Sequence, residues 1–338
     1  MDAYMSDGIL KRESFNPESS DVRIKSLLEA VRDKTLRVLS VEPAGICNLK
    51  CTFCDLHSGR VNDVERLKGV MDFDTFKKTI DQVAASGIVL KQLQYVGYGD
   101  PLLNKNLPRF VAYAKEKGIA ETQRIITNGV ALTEENFLAL IKAQIDIIEV
   151  SLDTVDKARY VEIKGKDFGD VVLKNLAFAI EHVVANRSCH LKIKCALPHH
   201  DGRYGVVDDD VRGIVDYFAA ATERSDRITI TGVPLVSIVD GLLEKKKEYT
   251  TPCEAPFYAL AVRFDGSVVG CCSDALMLLK LGNIQTSTIG EIIRGDKLRA
   301  LRSNHLNADF KTTPLCLYCE NRPAADLTGV IDDLRKII

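Results

Sequence analysis

What the sequence lacks narrows the possibilities first. No apolar run reaches the roughly 18 residues that span a bilayer, so no membrane partner is expected. The opening stretch, MDAYMSDGILKRESFNPESSD, has no apolar signal core, which predicts a cytoplasmic protein. Neither sign of charge dominates. A formal net charge of −2 supplies no basic field for a phosphate backbone, and this argues against nucleic acid as a partner. Internal repeats and low-complexity tracts are absent as well, which excludes solenoid and linker architectures. What remains, at 46% hydrophobic and 27% charged over 338 residues, is the composition of a globular enzyme with a large domain and a smaller one.

Cysteine is not scarce: there are ten. In a large chain without an export signal, reduced metal-binding thiols are a better reading than disulfides. They fall into an early trio, Cys47, Cys51 and Cys54, and a late set, Cys253, Cys271, Cys272, Cys316 and Cys319. Cys189 and Cys195 lie between, in a strand pattern that reads as core.

The chain divides into an N-terminal segment (1–34), an α/β core (35–235) and a smaller C-terminal unit (236–338). The first segment carries one amphipathic stretch, Ile24, Leu27, Leu28 and Val31, read as a surface helix or lid. Six β-type runs follow: LRVLSVE, QLQYVGYG, TQRIITNG, IDIIEVSL, HLKIKCAL and RITITGVP. Helical stripes separate them, such as Phe73, Phe76, Ile80 and Val83 behind an Asp72 N-cap, Leu107 to Ala114 ending at Gly118, and Phe137, Leu138 and Ile141 after Thr133. Strands alternating with helices imply a parallel sheet built from right-handed crossovers, with ligands at the carboxyl ends of the strands. Periodicity alone does not choose between a partial barrel and an open sheet. The C-terminal unit begins with a charged helical stretch, GLLEKKKEY. A hairpin, LAVRFDGSVVGCC, turning at Asp265-Gly266, one amphipathic helix from Ile289 to Leu301 and a cysteine pair follow.

Cys47-x3-Cys51-x2-Cys54 directly follows the first strand pattern. Three thiolates within eight residues can hold three irons of a cubane and leave the fourth open to a ligand. Zinc normally takes four protein ligands, so a lone trio fits it poorly, although His57 is a possible fourth. CxxxCxxC with an aromatic, Phe53, before the last cysteine resembles the cluster signature of the radical S-adenosylmethionine (SAM) superfamily.

That resemblance implies a partial (β/α)6 barrel and a [4Fe–4S] cluster whose open iron binds SAM. It also implies reductive cleavage of SAM to a 5′-deoxyadenosyl radical, with electrons from a flavodoxin- or ferredoxin-type donor. Gly97-Tyr98-Gly99-Asp100-Pro101 resembles the family's glycine-rich SAM contact, where the family more often has Glu at the place of Asp100. Thr127-Asn128 and Ser151-Leu152-Asp153 resemble positions near the SAM ribose and carboxylate, and each is equally natural as a turn or cap.

Four of the late cysteines, Cys253, Cys271, Cys316 and Cys319, can close a zinc or an iron–sulfur site. CEAPF, DGSVVGCCSD, LGNI and the final CxxC resemble the twitch domain, a shortened SPASM domain. This implies one auxiliary [4Fe–4S] cluster on those four thiolates, hence two clusters in all. Cys272 is a buried thiol, an alternative ligand or a hydrogen-atom donor. On the substrate side, His57, Tyr98 and the loop His199-His200-Asp201-Gly202-Arg203-Tyr204 leave carboxyl ends of predicted strands.

The resemblance points to dehydrogenation of an alcohol on an aminocyclitol- or sugar-like small molecule. Modification of a ribosomally made peptide and small-molecule epimerisation or decarboxylation are the enzymatic alternatives. A zinc-stapled binding protein is the non-enzymatic one.

Overall fold

The computed structural model describes residues 10–12, 20–33, 35–61, 64–235, 237–245, 248–249, 251–319 and 327–337. Ten strands form one sheet: β1 (Leu10–Arg12), β2 (Val38–Val41), β3 (Leu90–Tyr95), β4 (Ala120–Thr127), β5 (Ile147–Ser151), β6 (His190–Leu197), β7 (Ile228–Pro234), β8 (Ala259–Val262), β9 (Ser267–Val269) and β10 (Lys280–Asn283). Their spatial order is β1-β7-β6-β5-β4-β3-β2-β8-β9-β10. Strands β2 to β7 are the six expected from sequence and pair in parallel, forming the partial barrel of the radical SAM type.

Two further parallel pairings were not expected, one by the unforeseen strand β1 and one by β8, the first arm of the expected hairpin. β1 extends the barrel beyond β7, and β8 extends it beyond β2, with Leu39 opposite Leu260. The hairpin read as part of a separate unit is therefore hydrogen-bonded into the main sheet through β8. Its turn forms as expected: Gly266 has φ +80°, a conformation glycine adopts without penalty, and Asp265 accepts from the Ser267 amide at 2.9 Å.

One face of the barrel is covered by helices. Leu39, Leu93, Tyr95, Ile125, Ile148, Leu191 and Ile193 point to that side and pack with Phe76, Phe110, Phe137 and Leu176 in one buried core. The helix Phe73–Ala85 begins at Asp72, whose carboxylate accepts from the Thr75 amide, and its Phe76 stacks on Phe110 with ring centres 4.1 Å apart. The helix Leu107–Lys117 ends at Gly118 with φ +61°, and Glu134–Lys142 is capped by Thr133, as the sequence implied. In that last helix the buried residues are Phe137 and Leu140, whereas Leu138 is exposed, so the expected stripe is displaced. Cys189 and Cys195 are core residues.

At the C-terminal end the single helix expected from Ile289 to Leu301 is two, Ile289–Arg294 and Asp296–Leu306, broken at Gly295, whose backbone is extended. The N-terminal helix Ser20–Arg32 is no free lid. Its Leu27, Ala30 and Val31 are buried against Val38, Phe257, Tyr258, Leu306 and Leu334, so first and last parts of the chain share a second core.

Candidate active site

The cysteine trio lies on the loop that leaves β2 at the carboxyl end of the sheet. Backbone hydrogen bonds pin this loop to three neighbours. Gly45 donates to Gly69 at 2.7 Å, Asp100 donates to Ile46 at 2.9 Å, and Lys50 and Thr52 donate to Lys164 and Ile163 at 3.0 Å. Cys47, Cys51 and Cys54 are all half-buried, and no disulfide is present.

The Cys47 sulfur accepts from the Leu49 amide at 3.4 Å and from Asn128 Nδ2 at 3.6 Å, and the Cys54 sulfur accepts from the His57 amide at 3.3 Å. Such donors stabilise thiolate sulfur. Burial pushes the protonated thiols up, Cys47 to about 11 and Cys51 to about 12, so a bound cation must drive their ionisation. Three thiolates on one loop are one short of the four protein ligands that zinc normally takes, so this donor set suits a cluster better than one zinc ion.

The glycine turn does not approach open space at its two glycines. A Cβ on Gly97 would stand 2.3 Å from Glu42, and one on Gly99 would stand 2.3 Å from the carbonyl oxygens of Ala44 and Ile46. The glycines thus let the turn lie flat on the cysteine loop. Asp100 is buried. Its carboxylate accepts from the Leu102 amide at 3.0 Å, the Thr127 hydroxyl at 2.8 Å and the Asn128 amide at 2.7 Å. Asn128 reaches on to Asn48 Oδ1 at 2.7 Å, so β3, β4 and the cysteine loop are tied together.

Ser151 and Asp153 end β5. The Ser151 carbonyl accepts from Lys164 Nζ at 3.0 Å, and Lys164 also forms a buried ion pair with Asp153, whose second oxygen accepts from the Ala196 amide at 2.7 Å. Burial alone would lower Lys164, but the Asp153 and Cys51 charges outweigh it and keep the ammonium protonated. This ammonium lies 5.5 Å from the Phe53 ring, which packs with Ile163, Ala196, Val206 and Leu235. Asp153 has φ +70°, a left-handed conformation held by these contacts.

The late cysteines surround the hairpin and the short helix Pro314–Leu317. Cys271 and Cys319 pack against the main core and Cys316 is part of it, while Cys253 donates its amide to His305 Nδ1 at 3.0 Å. Cys272 is half-buried, with its thiol beside that of Cys271. A network missed in the sequence joins this region to the first loop. Arg263 pairs with Glu42 at 2.8 Å, both buried, and donates to the Asp274 carbonyl at 3.3 Å. Tyr98 donates its amide to Glu42 at 2.9 Å and its hydroxyl to the Ser273 carbonyl at 2.7 Å. Tyr98 is therefore part of the wall between the two cysteine regions.

The loop after β6 folds on itself. His199 Nδ1 and Asp201 are 2.6 Å apart, Asp201 also binds Arg203, and Arg203 reaches Glu244 at 3.3 Å. His200 is exposed beside His199, with ring centres 4.2 Å apart. Tyr204 donates to Asp240 at 2.7 Å, and its carbonyl accepts from Thr52, which brings this loop against the cysteine loop. His57 lies with its ring at the backbone of Gly45 and Tyr98, and its Nε2 is buried without a partner.

The barrel's inward face also escaped the sequence reading. Ser40, Gln94, Arg124, Glu149, Lys194 and Thr231 alternate with the helix-facing core residues. Strands buried on both faces read as continuous apolar runs, so the charges inside IIEVS and LKIKCAL were a usable signal of a polar interior.

The model of the Radical SAM superfamily matches residues 41–191, and that of the SPASM iron–sulfur cluster-binding domain matches residues 253–320. GTP 3′,8-cyclase of Chlorobaculum tepidum is 27% identical over 183 residues, 54% of this chain and 50% of that protein. The chain matches half or less of the length of its first curated relatives. Among solved structures, BtrN in complex with AdoMet and 2-DOIA aligns with a TM-score of 0.55 at 20% identity, covering 84% of this chain and 93% of that one. Streptococcus suis SuiB bound to the precursor peptide SuiA aligns at 0.59 and 13% identity, covering 91% and 76%.

Proposed function

This chain is a radical SAM enzyme with an SPASM-type auxiliary-cluster domain, and from that premise we propose that it oxidises an alcohol on a sugar- or aminocyclitol-like small molecule. The two domains imply [4Fe–4S] clusters and SAM binding. Cys47, Cys51 and Cys54 would hold the first cluster, and Cys253, Cys271, Cys316 and Cys319 the auxiliary one. Bound and reduced, the first cluster supplies the electron that splits SAM into methionine and a 5′-deoxyadenosyl radical.

The observation that carries the reading is the Glu42–Arg263–Tyr98 wall, which fastens the late cysteine loop directly to the turn beside the first. Oxidation of a carbinol removes a hydrogen atom from carbon, a proton from oxygen and one further electron. A fully ligated site next to the reacting one is a fit acceptor for that electron. For the proton we assign His199, which Asp201 orients through Nδ1 as a base is oriented by an acid. Asn128 and the Asp100 network position the SAM side of the cavity, and Phe53 and Tyr204 exclude water from it. The donor is a flavodoxin- or ferredoxin-type protein of the cytoplasm.

The test is anaerobic turnover with SAM of candidate polyols deuterated at the carbinol carbon. Deuterium in 5′-deoxyadenosine and a product lighter by two hydrogens are expected. Hydrogen exchange without oxidation, or turnover of a precursor peptide alone, would overturn the reading.

A further inference from the structure

The helix Lys157–Lys164 carries a hydroxyl that the fold leaves unmatched. Tyr160 is 1% exposed, and among the described residues its buried O–H has no hydrogen-bond partner. A buried hydroxyl without a partner costs stability unless a ligand completes it. Burial pushes the phenol up to about 12, so the group remains a donor. The side chain is not free to swing away. Its ring lies so close to Gly169 that a Cβ there would stand 3.2 Å from it.

The helix sets the direction of that side chain. Tyr160 and Lys164 stand one turn apart and so share a face. Lys164 pairs with Asp153 and lies 5.5 Å from the ring of Phe53, on the cysteine loop. Lys50 and Thr52, on either side of Cys51, donate to Lys164 and Ile163 at the end of the same helix, both at 3.0 Å. After burial, the charges that act on the phenol are those of Lys164, Cys51, Asp153 and Cys47, as this placement requires. A second observation singles out Cys51. The Cys47 sulfur accepts from Leu49 and Asn128, and the Cys54 sulfur from His57. The Cys51 sulfur accepts from none of the described residues, Tyr160 included. The trio's unassisted sulfur and the helix's unmatched hydroxyl therefore lie on the same side of the loop. Because the hydroxyl does not reach the thiol itself, its acceptor is a group that the three cysteines hold.

We propose that Tyr160 donates its O–H to a sulfide of the first [4Fe–4S] cluster, on the side held by Cys51, and so raises that cluster's reduction potential. A donor to cluster sulfur favours the reduced, more negative state. Tyr160 therefore acts on the ease of reduction, ahead of SAM cleavage, and takes no part in the chemistry of the substrate. This rests on the trio as the ligands of the first cluster and is independent of which substrate is oxidised.

The experiment is an anaerobic redox titration of the two-cluster enzyme without SAM, followed by electron paramagnetic resonance. The first cluster's signal is the one that changes when SAM is added afterwards. Tyr160→Phe keeps the ring against Gly169 and removes only the hydroxyl. It should bind about eight irons, as the wild type does, and shift reduction of the first cluster about tenfold towards the oxidised state. For one electron that is a potential lower by about 59 mV. The signal of the second cluster should not move. A 3-fluorotyrosine at position 160, a stronger donor on nearly the same ring, should shift the first cluster the opposite way. An unshifted first cluster in both variants at full iron would overturn the proposal. A shift that appears only with SAM present would overturn it too, by placing the hydroxyl on SAM. Should Tyr160→Phe lose iron, the fluorinated enzyme decides alone, and a potential at or below that of the wild type sinks the idea. The two readings fail separately. A wild type without a SAM-responsive signal removes the first cluster and the role of Tyr160 with it. Failure to oxidise any polyol removes the dehydrogenase reading and leaves that role standing.

Discussion

The two cysteine regions solve one problem by opposite means. Cys47, Cys51 and Cys54 share one loop of eight residues, and the loop is held in shape by the ends of β3, β4 and the helix Lys157–Lys164. Cys253, Cys271 and the Cys316–Cys319 pair come from three places along the last third of the chain, on either side of a hairpin and two helices. The local site leaves its partner groups on one side, open to a ligand. The dispersed one draws single thiols from two segments and a pair from a third, which suits a closed site. A short motif therefore reports the first chemistry directly, while the second depends on tertiary folding.

The largest expected effect breaks the local site. Replacing Cys47, Cys51 and Cys54 together by Ala should abolish 5′-deoxyadenosine formation. Reconstituted iron should fall from about eight to about four per chain, read by iron assay and chromatography. Cys316→Ala with Cys319→Ala should also lower iron to about four, but it should keep measurable SAM cleavage while losing product. Full product formation by that double variant would show the dispersed site to be scaffolding. A wild type that binds about four irons plus zinc would remove the auxiliary cluster altogether.

Smaller changes sharpen the comparison by loosening the supports of the first loop alone. In Gly99→Ala the new methyl would meet two backbone carbonyl oxygens at 2.3 Å, neither of which can rotate away. The variant should lose iron from the first site and retain the second, with about half the wild-type iron in total. Lys164→Met leaves Asp153 as an uncompensated buried charge beside Cys51. It should destabilise the protein by about 3–5 kcal/mol in denaturant titration, and Asp153→Asn with Lys164→Met should recover part of that loss.

Much of this architecture was legible because it is written locally. Asp72, Gly118 and Thr133 mark helix ends through bonds made within a few residues, and the β2 to β7 runs carry their own periodicity. β1 did not declare itself, since a strand of three residues carries too little pattern, and β8 was legible as a hairpin arm but not in its parallel pairing with β2, which only the tertiary fold supplies. The glycines at 97 and 99 were legible as a close approach but not as to what approaches; Glu42 and the Ala44–Ile46 backbone are more than fifty residues away. Glu149, Arg124 and Lys194 looked like ordinary alternation until the barrel closed their side chains onto one another.

The smallest expected effect concerns Cys272, where the dispersed region holds one thiol more than a closed site needs. Its sulfur neighbours that of Cys271, and the next residue, Ser273, is fixed by Tyr98 from the first region. An oxidation ends when the substrate radical gives up a proton and an electron, so no thiol donor takes part. An epimerisation ends when a hydrogen atom arrives from the opposite face, and a cysteine beside the cavity is a natural source. Cys272→Ala should therefore retain product formation to within about twofold, less than ~0.5 kcal/mol in the barrier. Turnover in deuterated water provides the check, with product yield and deuterium at the reacting carbon followed together. Loss of product in the variant, with one solvent deuterium incorporated by the wild type, would replace the proposed dehydrogenation with an epimerisation. It would also give the dispersed region a chemical role beyond accepting an electron.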